Sequence, residues 1–177
     1  MRNALLAIFV LVLAISVFGQ NAQYIGSEKC KMCHMSKAKG DAYGVWKASK
    51  HAQAFATLAT EEAKAVAKKA GIEDPQKSPK CLKCHVTAAE APATAKAATF
   101  AQTEGVGCEV CHGPGSLYKD MKVMKALTAG TQDAKAVAYV RGDKASCIKC
   151  HNPESPTYKP FKADEMFKQI AHNMPKK

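Results

Sequence analysis

The chain has 177 residues and a formal net charge of +11, with 26 Lys and Arg against 15 Asp and Glu. Its length suits one domain, but aromatic residues make up only 7% of it, so few large side chains are available to fill a core. The charge does not indicate nucleic-acid binding, because the lysines are scattered along the chain and arginine is nearly absent.

The first 19 residues predict a secretory signal peptide. Arg2 precedes an apolar run at 4–18 that is short for a membrane span and is followed by small or polar residues. Cleavage is expected after Gly19, and an uncleaved membrane anchor is the alternative. Since no second long apolar run follows, we expect an exported, soluble protein with one domain, residues 20–177, and no membrane span after cleavage.

All eight cysteines occur in four copies of the pattern Cys-x-x-Cys-His. The copies are CKMCH (Cys30, Cys33, His34), CLKCH (Cys81, Cys84, His85), CEVCH (Cys108, Cys111, His112) and CIKCH (Cys147, Cys150, His151). Four disulfides, or zinc sites built from pairs of CxxC units, are the alternatives in an exported protein. Neither explains the histidine after every unit, because histidine makes up only 6 of the 177 residues, whereas CxxCH is the attachment sequence of c-type haem.

The spacing within the motif suits haem c. Two thiols three positions apart on a helical turn can reach the two vinyl groups of one porphyrin, and the next residue presents its imidazole to the iron. The sequence therefore predicts four covalently attached haems, with His34, His85, His112 and His151 as proximal iron ligands. Such large flat cofactors would supply the apolar core that aromatic side chains do not.

A helix is predicted at 44–58, and it carries one of the two histidines that lie outside the motifs. His51 falls on the apolar face of this helix, among Val45, Phe55 and Leu58. A core histidine satisfied by one hydrogen bond is the alternative interpretation. In a chain with four irons, however, an inward-facing histidine is a candidate distal iron ligand.

The middle of the chain predicts a short helix and then a long irregular segment. Thr60 caps a helix at 61–70 that ends at Gly71. The alanine-rich segment 86–105 is interrupted by a proline, and its composition permits either disorder or a lid over the second haem. Glycines that flank the third motif are expected where the backbone passes close to porphyrin or has a positive φ. They are Gly105, Gly107, Gly113 and Gly115.

A third distal ligand is expected from sulfur. The stretch GPGSLYKDMKVMKALTAG predicts a helix that is capped by Ser116 and ends near Gly130. Its periodicity places Met121 and Met124 on one inward face, and the sequence does not choose between them. Methionines that only fill gaps in the core are the alternative.

The last predicted helix covers 163–173 and carries the second histidine outside the motifs. His172 flanks the apolar face of this helix and is a predicted distal ligand, with Met174 as the alternative. The fourth iron then lacks an identified protein ligand on one side, and an open iron would bind a small molecule.

These residues resemble the tetrahaem cytochrome c-554 family of periplasmic electron carriers. The resemblance covers most of the mature chain and rests on CKMCH followed by WKASKHAQAF, on GVGCEVCHGPG, and on CIKCH followed by SPTYKPF and DEMFKQI. It implies a mainly α, small multihaem cytochrome fold, with helices and loops wrapped around four covalently bound haems. It also implies a periplasmic location.

The resemblance further implies which irons the distal histidines serve. His51 would serve the His112 haem, and His172 would serve the His151 haem.

For the other two haems, the resemblance implies different coordination. A histidine that the family has shortly after the third motif is missing here, which favours Met121 or Met124 as the distal ligand of the His34 haem. The second-motif haem, on His85, would be five-coordinate.

The expected function is electron transfer between a donor and an acceptor redox protein, without chemistry on a substrate. The lysine excess would suit acidic partners. The alternative is an enzyme that reduces a small nitrogen oxide, nitric oxide or hydroxylamine, at an open His85 haem. Glu90 and Glu104 are its candidate proton donors by position alone.

Overall fold

The computed structural model describes residues 21–172, and within them the chain is helical, as expected for a mainly α protein. The predicted signal peptide and Met174 lie outside the described residues. The α-helices are α1 Glu28–His34, α2 Ala42–Lys47, α3 Ala54–Thr57, α4 Glu61–Lys69, α5 Pro79–His85, α6 Cys108–His112, α7 Met121–Ala129 and α8 Ala163–Ile170. Short 3₁₀ turns connect them, at Lys37–Lys39, Ala93–Ala95, Gln102–Glu104, Gly115–Leu117, Lys135–Val137 and Lys144–Lys149.

Three of the four CxxCH motifs form a helical turn that ends on the motif histidine. These are α1, α5 and α6. The fourth motif lies on the 3₁₀ turn Lys144–Lys149, with His151 just beyond it. The helical placement expected for the motifs is thus found for the first three, and the fourth has the tighter 3₁₀ form of the same turn.

Helix α4 has the ends that its sequence predicts. The Thr60 hydroxyl accepts a hydrogen bond from the Ala63 N–H at 3.2 Å, which satisfies one of the free donors of the first turn. Gly71, just past the last turn, has a φ of +68°.

The predicted helix at 44–58 is wrong, because the chain breaks it into α2 and α3 with His51 in the turn between them. The break is stabilised from the loop before the third motif. The Trp46 indole donates to the Val106 carbonyl at 2.8 Å, and the Val106 N–H donates to the His51 carbonyl at 2.9 Å. These long-range bonds replace helical ones, which periodicity along the sequence does not reveal.

The predicted start of the methionine helix at Ser116 is also wrong. Asp120 caps α7 instead, since its carboxylate accepts from the Lys122 N–H at 2.8 Å. The Ser116 hydroxyl accepts from the Gln23 N–H at 2.8 Å and so joins the N-terminal segment to the third motif. The predicted end is confirmed, because Gly130 closes the helix with a φ of +74°.

The alanine-rich segment 86–105 is ordered, although its composition permits disorder. It lies along the N-terminal segment, where the Tyr24 N–H donates to Ala95 and the Ala97 N–H donates to Tyr24, both at 2.9 Å. The Thr99 hydroxyl donates to the Ile25 carbonyl at 2.8 Å. The backbone bonds of Tyr24 form an isolated parallel β-bridge between Tyr24 and Lys96.

Few large apolar side chains are buried. The buried apolar residues in the described part of the chain are Ile25, Tyr43, Trp46, Leu58, Ala67, Val86 and Tyr118. Burial of a large apolar side chain contributes about 1.5–3 kcal/mol, so a core of this size stabilises a chain of this length weakly. Within residues 21–172, no helix has the length and apolar character needed to cross a bilayer.

Candidate haem sites

Two motif histidines are oriented by backbone carbonyl groups. The Nδ1 atom of His85 lies 2.7 Å from the Ala54 carbonyl oxygen, and Nδ1 of His112 lies 3.1 Å from that of Val140. A carbonyl only accepts, so Nδ1 carries the hydrogen in both rings and the Nε2 lone pair is available. This is the arrangement by which proteins hold a metal-ligating imidazole.

The histidine rings come together in two pairs from distant parts of the chain. His51 and His151 have ring centroids 6.1 Å apart with planes inclined at 66°, and His112 and His172 have centroids 5.9 Å apart at 62°. Two imidazoles on opposite sides of one iron have centroids about 6 Å apart, given metal–nitrogen bonds of about 2 Å. Both pairs therefore match the separation of two axial ligands.

The protonation state of these rings also suits ligation. Burial lowers the pKa of His51, and the charge of His151 lowers it further. Burial also lowers the pKa of His112, against the opposing effect of its bond to Val140. A lowered pKa favours the neutral imidazole, the form that binds a metal.

The resemblance pairs each distal histidine with a particular motif histidine, and the structure places different rings side by side. His51 lies beside His151 rather than His112, and His172 lies beside His112 rather than His151. An ion pair between Lys144 and Asp164 does join α8 to the fourth motif.

The reversal has a physical reason at the end of α8. The helix ends at Ile170, earlier than the predicted 163–173, so His172 lies in an extension beyond it. Its Nδ1 lies 3.2 Å from the Ile170 carbonyl oxygen. This extension brings His172 to His112.

Aromatic rings fix the orientation of two motif histidines. His151 stacks on Phe161, with centroids 4.2 Å apart and planes 12° from parallel. His112 stacks on Tyr139 at 5.9 Å and 4°, and Tyr139 in turn meets Tyr118 edge to face. These contacts limit the ring rotation that would otherwise oppose a fixed iron–nitrogen bond.

The cysteine side chains show that the first motif adjoins the third. The Cys30 thiol hydrogen-bonds Cys108, which together with burial raises the pKa of Cys30, and the same bond lowers the pKa of Cys108.

The second motif adjoins the fourth in the same way. Burial, followed by the charge and hydrogen bond of Cys84, raises the pKa of Cys150 to about 12. Cys111 and Cys147 also interact, and the Ser146 hydroxyl lies 3.8 Å from the Cys111 sulfur, so the third motif adjoins the fourth. The attachment sites thus follow one another in the order first, third, fourth, second. The second and third motifs, which are nearest in sequence, are separated in this order.

Glu109, inside the third motif, is a buried residue that joins the site to other segments and that sequence reasoning missed. Its side chain is 3% exposed, and its two oxygens accept from the N–H groups of Ile25, Gly26 and Gly115 at 2.7–3.1 Å. Burial raises the pKa of Glu109, and these three bonds oppose the rise. No signal in the sequence marked it, because an acidic residue in the first turn of a helix is ordinarily exposed.

The glycines that flank the third motif behave as expected in two cases. Gly105 and Gly113 have φ values of +75° and +77°, a region that side chains disfavour. A Cβ added at Gly105 would lie 2.6 Å from the His51 carbonyl oxygen. Gly107 and Gly115 instead allow close approach of protein side chains, those of Ser27 and Ile25.

The two candidate methionines differ in exposure, so the expectation that both face inward is wrong for Met121. It is the first residue of α7 and is 61% exposed, whereas Met124 is half-buried one turn later. Because the helix begins at Met121 rather than at Ser116, the first methionine lies at its exposed end. His34 is itself half-buried, and burial lowers its pKa, as do the charges of His172 and Lys39.

The two carboxylates considered as proton donors near the second motif have other surroundings. Glu104 accepts from the Ser27 N–H at 2.6 Å. Glu90 is exposed. Among the described residues, the His85 ring is hydrogen-bonded to the Ala54 carbonyl and to neither carboxylate.

The residues present fit covalently bound haem c. All eight cysteines lie within the described residues and are free thiols, which argues against a disulfide framework. Among residues 21–172, no group of three or more His, Cys, Asp or Glu side chains converges as a zinc site requires. Paired thiols, a following imidazole and two matched imidazole pairs are the donor set that haem c uses.

Comparison with known proteins agrees with this donor set. Residues 29–113 match the protein-family model described as "Cytochrome c554 and c-prime". The chain is 32% identical over 117 residues to "Cytochrome c-554" of Nitrosomonas europaea, a match that covers 64% of this chain and 47% of the relative. The chain therefore spans about half the length of this curated relative. No solved structure was found to match the chain.

Proposed function

We propose that the protein is a periplasmic tetrahaem c-type cytochrome that carries electrons between redox proteins, because residues 29–113 match the model of the cytochrome c554 and c-prime family. When bound, haem c supplies reversible one-electron chemistry at its iron. The pairing of imidazole rings is the observation that carries this proposal. Two of the four motif histidines have a second imidazole at the separation expected across one iron.

The chain's own residues attach, orient and tune the four sites in this proposal. The two cysteines of every motif form thioether bonds, and the motif histidine is the proximal ligand. Bonds to the Ala54 and Val140 carbonyls keep His85 and His112 in the ligating tautomer. Stacking on Phe161 and Tyr139 limits the rotation of His151 and His112.

We assign the two distal histidines from the ring pairs. His51 is the distal ligand of the His151 haem, at a centroid separation of 6.1 Å. His172 is the distal ligand of the His112 haem, at 5.9 Å. Both sites then have two imidazole ligands.

For the His34 haem we propose Met124 as distal ligand rather than Met121, because Met124 is half-buried and Met121 is 61% exposed. A His/Met site has a higher potential than a bis-histidine site, which would spread the potentials within one chain. Met124→Ala should abolish the near-infrared band that reports an iron–sulfur(Met) bond, and the matched control Met121→Ala should retain it. The reverse result would make Met121 the ligand, and a wild-type protein without the band would exclude both.

The His85 haem is five-coordinate in this proposal. Electron paramagnetic resonance of the oxidised holoprotein should then show one high-spin site that cyanide converts to low spin, beside three low-spin sites. Four low-spin sites before cyanide is added would contradict the open site.

Two experiments test the function. The first titrates the holoprotein with a reductant, and the second measures whether the reduced protein consumes small nitrogen oxides. The holoprotein should take up four electrons reversibly and return them on oxidation. Nitric oxide and hydroxylamine should not be consumed over many turnovers by the reduced protein. Sustained consumption of either compound would identify an enzyme at the open haem, and failure to take up electrons would overturn the proposed function.

A further inference from the structure

We propose that the surface beside the first motif docks an acidic redox protein. This first-motif surface consists of Met32, Met35, Lys37, Lys39 and Lys47. The inference rests on the proposed electron-transfer function and adds to it the end of the molecule at which a partner binds and the charge of that partner.

The order of the attachment sites places the first motif at one end of their series. The Cys108 N–H donates to the Ser27 hydroxyl at the start of α1 at 3.2 Å, which joins the third motif to the first. The Ser146 hydroxyl lies 3.8 Å from the Cys111 sulfur, and Lys83 of the second motif pairs with Glu154, just after the fourth, at 2.6 Å, which gives the order first, third, fourth, second. The first and second motifs are therefore the two termini of the series. A partner that exchanges electrons with the whole series has the shortest route to it at a terminus.

The two termini differ in charge. Residues 28–50, around the first motif, hold six lysines and two acidic residues, a net charge of +4. Residues 61–90, around the second motif, hold six lysines and five acidic residues, a net charge of +1. Within the described residues, three ion pairs neutralise lysines at the second terminus, those of Lys64, Lys77 and Lys83, against one at the first, that of Lys31 with Glu28. An acidic protein is thus attracted more strongly to the first terminus.

Exposed methionines and lysines occur together at the first terminus. Met32 is 87% exposed and Met35 is 51% exposed. Met35 lines a surface depression to which Lys37 and Lys47 contribute two positive charges and Asp41 one negative charge. An apolar centre with a charged rim is the usual arrangement of a protein–protein contact, where the rim charges steer the partner and the centre is desolvated.

The lysines of this surface are available to a partner. Lys37, Lys39 and Lys47 are exposed, and no ion pair joins them to another side chain in the part of the chain that the structure describes. The turn Lys37–Lys39 begins three residues after His34. A partner bound by these lysines is therefore held next to the first proximal ligand.

The test measures reduction of the holoprotein by an acidic flavodoxin in its fully reduced form. In each productive encounter the flavin loses one electron and one ferric iron becomes ferrous. The variant is Lys37→Glu/Lys39→Glu/Lys47→Glu, and the matched control, Lys68→Glu/Lys69→Glu/Lys80→Glu, reverses three exposed lysines at the second terminus. Lumiflavin in its reduced form, a small reductant that loses one electron for each iron reduced, measures whether each protein remains reducible when docking is not required.

The second-order rate constant with flavodoxin should fall at least about ten-fold for the first-terminus variant at about 10 mM salt. The loss should shrink at about 0.5 M salt, where charges are screened within a few ångströms. The control should stay within about two-fold of wild type, and lumiflavin should reduce all three proteins alike. An equal loss in both variants, or no loss in either, would overturn the docking surface alone. If lumiflavin reduced none of the three proteins, the proposed function would fail and the docking surface with it.

Discussion

His51 and His151 lie on different parts of the chain, yet their imidazole rings face each other with centroids 6.1 Å apart and planes inclined at 66°. His51 is brought there by a break between α2 and α3 that the Val106 N–H stabilises through its bond to the His51 carbonyl. His151 is held by stacking on Phe161. The chain thus presents the histidine of the stretch WKASKHAQAF to a second imidazole.

His51→Ala should convert one bis-histidine low-spin haem to high spin and leave the other unchanged. The reason is that removal of this imidazole leaves His151 as the only protein ligand of that iron. Electron paramagnetic resonance of the oxidised protein checks this. The control is Lys50→Ala, a change at the exposed residue next to His51. A spectrum of His51→Ala that matched wild type would contradict the assignment.

His172→Ala should change a different haem from the one that His51→Ala changes. His172 lies 5.9 Å from His112, so its loss should remove the second low-spin bis-histidine signal. In the double variant both signals should be absent, and the two effects should add because the sites share no ligand. If the two single variants removed the same signal, the assignment of two separate pairs would be wrong.

Glu109→Gln should destabilise the holoprotein by about 1–3 kcal/mol near neutral pH, the usual cost of leaving a buried donor without its acceptor. The amide keeps one acceptor oxygen, so at least one of the Ile25, Gly26 and Gly115 N–H groups loses its partner. Denaturation in guanidinium measures the loss. The exposed Glu62→Gln should change the free energy of unfolding by less than about 0.5 kcal/mol. Equal stability of the two variants would mean that Glu109 does not join these segments.

Glu109 should also make stability depend on pH. Burial raises its pKa above the ordinary value of 4.5, so the folded protein holds a proton that the unfolded chain has released. The stability that this bound proton contributes is complete below pH 4.5 and is lost as pH rises through the raised pKa, whereas the hydrogen bonds to the backbone remain. The stability difference between wild type and Glu109→Gln should therefore be smaller at neutral pH than in mild acid. A difference that stayed constant or grew with pH would show that the three backbone bonds outweigh burial.

The sequence predicted the parts of the molecule that depend on local pattern. Three CxxCH motifs form helical turns, and Thr60 and Gly71 end α4 as their residue types require. These features follow from the hydrogen-bonding needs of a helix and its ends, which neighbouring residues satisfy.

The errors arose where distant segments meet. The break at His51 depends on Val106, and the cap of α7 is Asp120 because Ser116 is bonded to Gln23. The neighbours of His51 and His172 are set by how α2, α3 and α8 end, which spacing along the sequence does not encode. Glu109 was missed for the same reason, since its three donors come from two other segments, Ile25 with Gly26 and the turn at Gly115.

The presence of four covalently bound haems is tested most directly by the mass of the intact mature protein, made in a host that attaches haem c. We expect the mass of the processed chain plus four haems, all retained after denaturation because each is held by thioether bonds. Replacing both cysteines of one motif, Cys81→Ala/Cys84→Ala, should lower the mass by one haem. A denatured wild-type protein that carried no haem, or that lost it on denaturation, would contradict the account.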